Sequence, residues 1–125
     1  MATLKKLKVE SWETYKYLRN KKIYCPAFGE NIIFSLRGWY HLTKPAGHSR
    51  IPADLSRRYR LLKYAEEIIT KSHTVQNVKT VNCKTFFALE AVMPVDGNTT
   101  KILKKIRVVI IDTKAGKTFL SILDK

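Results

Sequence analysis

The sequence contains few acidic residues, few cysteines and no long hydrophobic run. Its 125 residues include 10 Asp and Glu but 24 Lys and Arg, which leaves a formal net charge of +14. Such an excess of positive charge concentrates polyanions around a protein, and phosphate neutralisation releases counterions, so nucleic acid is the partner that we expect first. An acidic protein is the second candidate. An anionic membrane ranks third, because no basic helix with a bulky apolar face is evident.

Cysteine and motif content exclude several other classes. The two cysteines, Cys25 and Cys83, lie far apart, which indicates a reducing compartment more than a disulfide framework, and no Cys or His pair has zinc-ligand spacing. No stretch resembles a signal peptide or the ~18–20 apolar residues of a membrane span. The phosphate-loop, dinucleotide-binding, HExxH and GxSxG motifs are absent. We therefore expect a cytoplasmic protein that contacts no membrane and uses no metal or cofactor.

The order of the predicted elements indicates a single α+β domain. Hydrophobic residues make up 45% of the chain, which is enough for one core without disulfide or metal support. Helical patterns occupy about residues 9–71 and strand patterns about residues 74–123, so we expect one domain over 1–125. Helices followed by strands predict N-terminal helices that pack on one face of a four-stranded antiparallel sheet.

Two helices are predicted before the sheet. The first covers Val9–Asn20 and has Ser11 as a possible N-cap. The second runs from about Leu55 to Lys71, behind Asp54 or Ser56 as its cap, and has a broad apolar face.

The strands are β-branched and apolar, and short turns separate them. The segment Ile32–Leu36 fits either a strand or the start of a further helix that includes Trp39 to Leu42. Consecutive strands with short connections predict an antiparallel meander. The four strands of the sheet are predicted at Thr74–Val81, Thr85–Met93, Ile102–Asp112 and Lys117–Leu123.

The chain has three histidines, so few side chains are suited to acid–base chemistry near neutral pH. RNA can be cut when a base deprotonates the 2′-hydroxyl, a cation stabilises the phosphoryl oxygens and a hydroxyl orients the phosphate. His41 is the candidate acid–base group, because it borders a basic loop, although a helix-end histidine bound to backbone would give the same pattern. His48 lies in that loop, and His73 suits the end of the long helix.

Basic residues around the loop and the long helix are the candidates for phosphate binding. A solvated helix face is the alternative for the arginines, since no single face of the helix holds all of them. The predicted RNA-binding residues are Lys44, His48, Arg50, Arg57, Arg58 and Arg60.

Charged and hydroxyl residues inside the strands form the last candidate set. Glu90 and Arg107 are expected nearly opposite each other on paired strands, either as a cross-strand ion pair or as the lining of a phosphate-binding concavity. Ser121 would offer a hydroxyl to the same concavity, or it is an ordinary strand serine. Phe86 and Phe87 could offer a stacking platform, but we favour packing for them, in the core on one side and against a helix on the other.

The chain resembles the barnase–EndoU–colicin–RelE-like nucleases, in particular their phage-associated branch. The resemblance lies in the order of the predicted elements and in the residue types that they contain, and it covers most of the chain from Ile33 onward. The stretches that carry it are Gly38–Leu42, Ser56–Leu62, Lys104–Ile111 and Gly116–Ile122.

The resemblance implies a metal-independent endoribonuclease, often a toxin or phage-type effector, that acts on transfer, messenger or ribosomal RNA and has an acidic protein inhibitor. His41 would be the acid–base histidine, Arg57 or Arg58 together with Arg107 would bind phosphate, and Ser121 would supply the hydroxyl. Two other hypotheses stay open. One is a non-catalytic RNA- or ribosome-binding module, and the other is a basic effector that binds an acidic protein.

Overall fold

Helices precede a four-stranded sheet in the computed structural model, which describes residues 3–44, 50–96 and 100–124. The predicted α+β class is confirmed, and the sheet is an antiparallel meander with strand order β3-β4-β5-β6. Two short strands, β1 and β2, form a separate antiparallel pair. The elements are α1 (Leu4–Arg19), β1 (Tyr24–Cys25), β2 (Glu30–Asn31), α2 (Leu36–Thr43), α3 (Pro52–Leu61), a 3₁₀ turn (Leu62–Tyr64), α4 (Ala65–Lys71), β3 (Asn77–Val81), β4 (Lys84–Asp96), β5 (Lys101–Thr113) and β6 (Gly116–Asp124).

The first helix begins at Leu4, so the predicted start at Val9 is wrong. Thr3 is the N-cap, and its hydroxyl accepts a hydrogen bond of 3.1 Å from the Lys6 N–H. Ser11 is not a cap but a buried residue in the middle of α1. Its hydroxyl donates to the Tyr59 carbonyl at 3.1 Å, which ties α1 to α3.

The predicted single helix from Leu55 to Lys71 is two helices joined by the 3₁₀ turn. It begins at Pro52, which occupies the first helical turn, where a missing N–H costs nothing. Asp54 lies in that first turn and is not the cap. The two helices on either side of the 3₁₀ turn have different packing partners, since α3 packs on α1 and β6 while α4 packs on β1 and β4.

The strands match the prediction in number and order, but not at their ends. β3 begins at Asn77 and not at Thr74, and the other three strands are longer than predicted. The predicted register is confirmed, because Glu90 pairs with Arg107.

Alternation along the strands separates a core face from an open face. Leu89, Ile106 and Val108 point toward the helices and are buried in the core. Residues on the opposite side belong to what we call the open face, in which Ala88 and Ile111 are nonetheless buried. They are Phe86, Ala88, Glu90 and Val92 of β4 and Lys105, Arg107, Val109 and Ile111 of β5.

Candidate nucleic-acid interface

The helix α2, which carries His41, is fixed to the edge strand β6 at its N-terminal end. Ile33 forms an isolated bridge with Thr118, in which the Ile33 N–H donates to Lys117 at 2.9 Å and the Phe119 N–H donates to Ile33 at 2.8 Å. Ser35 is the N-cap of α2, and its hydroxyl accepts a hydrogen bond of 3.4 Å from the Gly38 N–H. The segment Ile32–Leu36, for which the sequence allowed either a strand or the start of a helix, therefore makes one bridge to the sheet and then enters α2.

Gly38 allows α2 to lie directly against β6. A Cβ at this position would come within 2.5 Å of the Phe119 carbonyl oxygen and would also meet the Tyr15 hydroxyl. That hydroxyl donates to the Ser35 carbonyl at 2.6 Å, while the Tyr15 ring packs against Phe34 and Trp39. The absence of a side chain at Gly38 thus sets the depth at which His41, three residues later, sits beside the sheet.

Arg50 holds the C-terminal end of α2. Its guanidinium donates from Nε to the Leu42 carbonyl at 2.8 Å and from Nη2 to the His41 carbonyl at 3.1 Å. These carbonyls have no partner within the helix, so a cation there satisfies them and suits the helix dipole. Arg50 therefore positions His41.

A single carboxylate, Asp54, gathers three guanidiniums. Its oxygens lie 3.2 Å from Arg50 Nη1, 3.2 Å from Arg57 Nη2 and 3.1 Å from Arg58 Nε. Burial raises the pKa of Asp54, but the charges and hydrogen bonds of Arg58, Arg57 and Arg50 outweigh it and lower that pKa overall.

Arg58 connects this cluster to β6. Its Nη1 donates to the Ser121 hydroxyl at 2.5 Å and to the Ile122 carbonyl at 3.2 Å, and only 13% of its side chain is exposed. Ser121 is buried as well. The structure therefore brings Arg50, Arg58 and Ser121 together behind His41, where both arginines share Asp54 and Arg58 also binds Ser121.

His41 is the member of this group that lines an open pocket. Its pKa is lowered, first by burial and then by the charges of Arg50 and Arg58, while the Leu120 backbone acts in the opposite direction. Its Nδ1 atom is buried and has no hydrogen-bond partner within the described part of the chain. Because the pKa of His41 lies below the usual 6.5, the neutral imidazole is the favoured form near pH 7.

His41 opens into a pocket of about 610 Å³ between α2 and the sheet. One wall is a face of α2 and the residue after it, with spacing i, i+3, i+4 and i+7, and the other wall and the floor come from β4, β5 and β6. No acidic residue lines the pocket among the described residues. The lining residues are Arg37, Tyr40, His41, Lys44, Lys84, Phe86, Ile111 and Leu120.

Arg107 and Glu90 lie in a different place on the open face. Arg107 pairs with Glu90, which lies four residues along β4 from Phe86 of the His41 pocket, or about 13 Å at strand spacing. The Arg107 side chain lines an adjoining depression that includes Lys79 and shares Phe86 with that pocket. Its Nη2 atom is 2.6 Å from Glu90 Oε2, and Lys105 Nζ is 3.4 Å from Glu90 Oε1. The predicted cross-strand ion pair is thus present, and these residues do not converge with His41 and Ser121.

Arg57 and Arg60 line a groove on the helix side of the sheet, away from His41. This groove has a volume of about 310 Å³ and includes Lys63 and Lys104 as further cations. Of the six predicted RNA-binding residues, Lys44 reaches the His41 pocket, Arg50 and Arg58 support it from behind, and His48 lies outside the described residues.

Sequence reasoning missed Arg37, Tyr40 and Lys84, and it favoured packing for Phe86. The helical spacing from Arg37 to Lys44 is visible in the sequence and would have predicted one shared face. Lys84 and Phe86 join that face only through the docking of α2 on the sheet, which no local pattern reveals. Phe87, by contrast, packs on Phe28 in the core, with ring centroids 5.0 Å apart.

Comparisons with known proteins add no further assignment. No protein-family model matches the chain, and no curated protein and no solved structure is significantly similar to it. Among the described residues, no helix has the length and hydropathy needed to cross a membrane. Within the same ranges, no cluster of three or more His, Cys, Asp or Glu residues could hold a metal ion. The resemblance to the nuclease group stays a prediction.

Proposed function

We propose that this protein is an endoribonuclease that binds RNA on the open face and cuts it beside α2, with His41 as the general base. The observation that carries the proposal is an imidazole, favoured in its neutral form, in a pocket whose charged lining residues are all cations. A neutral imidazole accepts a proton, and Arg37, Lys44 and Lys84 supply the charge that a phosphoryl transition state needs.

The reaction uses the RNA's own hydroxyl as the nucleophile. His41 takes the proton of the 2′-hydroxyl, the 2′-oxygen bonds to the adjacent phosphorus, and the bond from phosphorus to the 5′-oxygen breaks. The products are a 2′,3′-cyclic phosphate and a 5′-hydroxyl, which takes its proton from solvent. Arg50 and Arg58 do not touch the RNA in this scheme, because they hold α2 and keep His41 neutral.

Cleavage of RNA in excess chelator by wild type, His41→Ala and His73→Ala tests this proposal. His73 is an exposed histidine outside the pocket, so its removal is the matched control. We expect His41→Ala to lose roughly 10²- to 10⁴-fold in cleavage rate while it keeps RNA affinity, and His73→Ala to lose neither. Wild-type protein that binds RNA with a steep salt dependence but never cuts it would identify a binding module instead.

The helix-side groove favours a second partner, an acidic protein segment. Arg57, Arg60 and Lys104 line it beside the aliphatic Val95 and Ile102. The aromatic ring in its lining, Tyr64, already carries the Lys63 ammonium 5.2 Å from its centroid. Aliphatic side chains suit the apolar residues of an amphipathic acidic segment better than they suit nucleobases, which stack on aromatic rings.

A fluorescent acidic amphipathic peptide tests the second partner. Arg60→Glu should abolish peptide binding and leave RNA cleavage intact. Lys22→Glu makes the same change in net charge at an exposed site outside this groove, and it should leave peptide binding unchanged. Equal losses in both variants would show that only net charge matters.

A further inference from the structure

Two aromatic rings in the His41 pocket lack the contacts that the other aromatic side chains make. Tyr24, Tyr40 and Phe86 contact neither a second ring nor a cation in the part of the chain that the structure describes. Tyr40 and Phe86 line the pocket beside His41, and 57% of Tyr40 is exposed. Both rings therefore line the pocket without a neighbouring ring or cation from the described residues stacked on them.

The two rings approach the pocket from different elements. Tyr40 belongs to α2 and Phe86 to β4, so the pocket has one aromatic side chain on its helix side and one on its sheet side. The pocket volume of about 610 Å³ falls within the roughly 300–1,000 Å³ that is typical of small-ligand sites. Arg37, Lys44 and Lys84 stand around it, where they can contact the phosphates on either side of an inserted base.

We propose that this pocket takes an unpaired nucleobase, stacked on Tyr40 and Phe86 next to the phosphate that His41 attacks, so that single-stranded RNA is the substrate. This inference rests on the proposed function for the position of the phosphate. A paired base inside a duplex keeps its faces covered by its neighbours, whereas an unpaired base is free to leave the stack and meet aromatic side chains. The depression beyond Phe86, with Lys79 and Arg107, continues the same track for the next nucleotide.

The test uses an uncleavable single-stranded oligonucleotide that has deoxyribose in place of ribose and one 2-aminopurine base. Stacking quenches the fluorescence of this base, and the same titration gives the affinity. We expect Tyr40→Ala and Phe86→Leu each to weaken binding about 5- to 150-fold and to remove the quenching. Phe86→Leu keeps the apolar bulk, and Tyr24→Ala removes an exposed ring from β1 as the matched control.

A duplex of the same sequence should bind more weakly than the single strand, and Tyr40→Ala should not change its affinity. Equal affinity for both forms, or Tyr40→Ala and Phe86→Leu proteins that behave like Tyr24→Ala, would overturn the inference. Cleavage is measured separately with RNA. If His41→Ala abolishes cleavage while both ring variants bind normally, stacking alone is refuted. If quenching depends on the rings but His41→Ala still cuts, the proposed catalytic role fails and the base pocket stands.

Discussion

Replacement of Gly38 by alanine should shift α2 relative to the sheet without changing any residue that lines the His41 pocket. The new Cβ would lie 2.5 Å from the Phe119 carbonyl oxygen, whereas ordinary contact begins at 3.4 Å. The helix must therefore move away from β6 by about 0.9 Å, because the obstacle is backbone that is paired within the sheet. His41 moves with the helix.

The expected magnitudes follow from that displacement. Overpacking costs up to about 3 kcal/mol, and alanine returns about 1 kcal/mol of helix propensity, so the net loss of unfolding free energy should be about 2 kcal/mol. A shift of roughly 1 Å in a reacting group lowers the rate by about 10²-fold. RNA affinity should change far less, since Lys84 and Phe86 belong to β4 and do not move with α2.

Urea unfolding and single-turnover cleavage at saturating protein measure the two effects in Gly38→Ala. Leu36→Ala is the matched control, because it places an alanine at an exposed position of the same helix. Circular dichroism and RNA binding confirm that each variant is folded. A Gly38→Ala protein that is more stable than wild type and cuts RNA at the normal rate would refute the close packing of α2 on β6.

Three further predictions concern charge. Lys84→Ala should lower the slope of log affinity for single-stranded RNA against log salt by about 0.7, while the exposed control Lys22→Ala should leave it unchanged. His41 should titrate below its usual pKa of 6.5 by NMR, the acid limb of the cleavage rate should follow that pKa, and Arg37→Ala should raise both because a positive neighbour is lost. Asp54→Asn should lower the unfolding free energy at pH 7 by about 3 kcal/mol, since guanidiniums lose their shared carboxylate. Because the folded-state pKa of Asp54 is lowered, this deficit should be complete above the unfolded-state pKa of ~3.9 and should vanish as the pH falls through the lower folded-state pKa.

Distinct results would contradict each of these three predictions. Equal salt slopes for Lys84→Ala and Lys22→Ala would place RNA away from the pocket. A His41 pKa at or above 6.5, or one that falls in Arg37→Ala, would remove the electrostatic explanation. An Asp54→Asn deficit that grows toward low pH would show that the carboxylate destabilises the fold.

The sheet could be predicted from the sequence because its determinants are local. β-Branched residues fill the interior of β5, and β4 ends at Asp96 while β5 begins at Lys101, so the pairing of Glu90 with Arg107 follows from the shortness of the connection. The helix α2 could not be predicted in the same way. It has eight residues, includes Gly38 and the aromatic Trp39 and Tyr40, and depends on packing against β6 and not on its own propensity.

The candidate site likewise combines residues that a local pattern indicates with residues that only long-range packing brings in. His41 and Lys44 stand out because they border a basic loop, yet the sequence does not distinguish arginines that meet solvent from arginines that hold the fold. The spacing of Asp54, four residues after Arg50 and four before Arg58, was the available indication that these two are paired. Lys84 and Phe86 enter the pocket through long-range docking, which the sequence does not encode in any short pattern.

The most direct measurement is the chemical identity of the ends that the protein leaves on a single-stranded RNA in excess chelator. Mass spectrometry of the fragments should show a 2′,3′-cyclic phosphate on one product and a 5′-hydroxyl on the other, and both should disappear with His41→Ala. Fragments that carry a 3′-hydroxyl and a 5′-phosphate, or the same cyclic ends from His41→Ala, would contradict the assignment of this pocket as the place where RNA is cut.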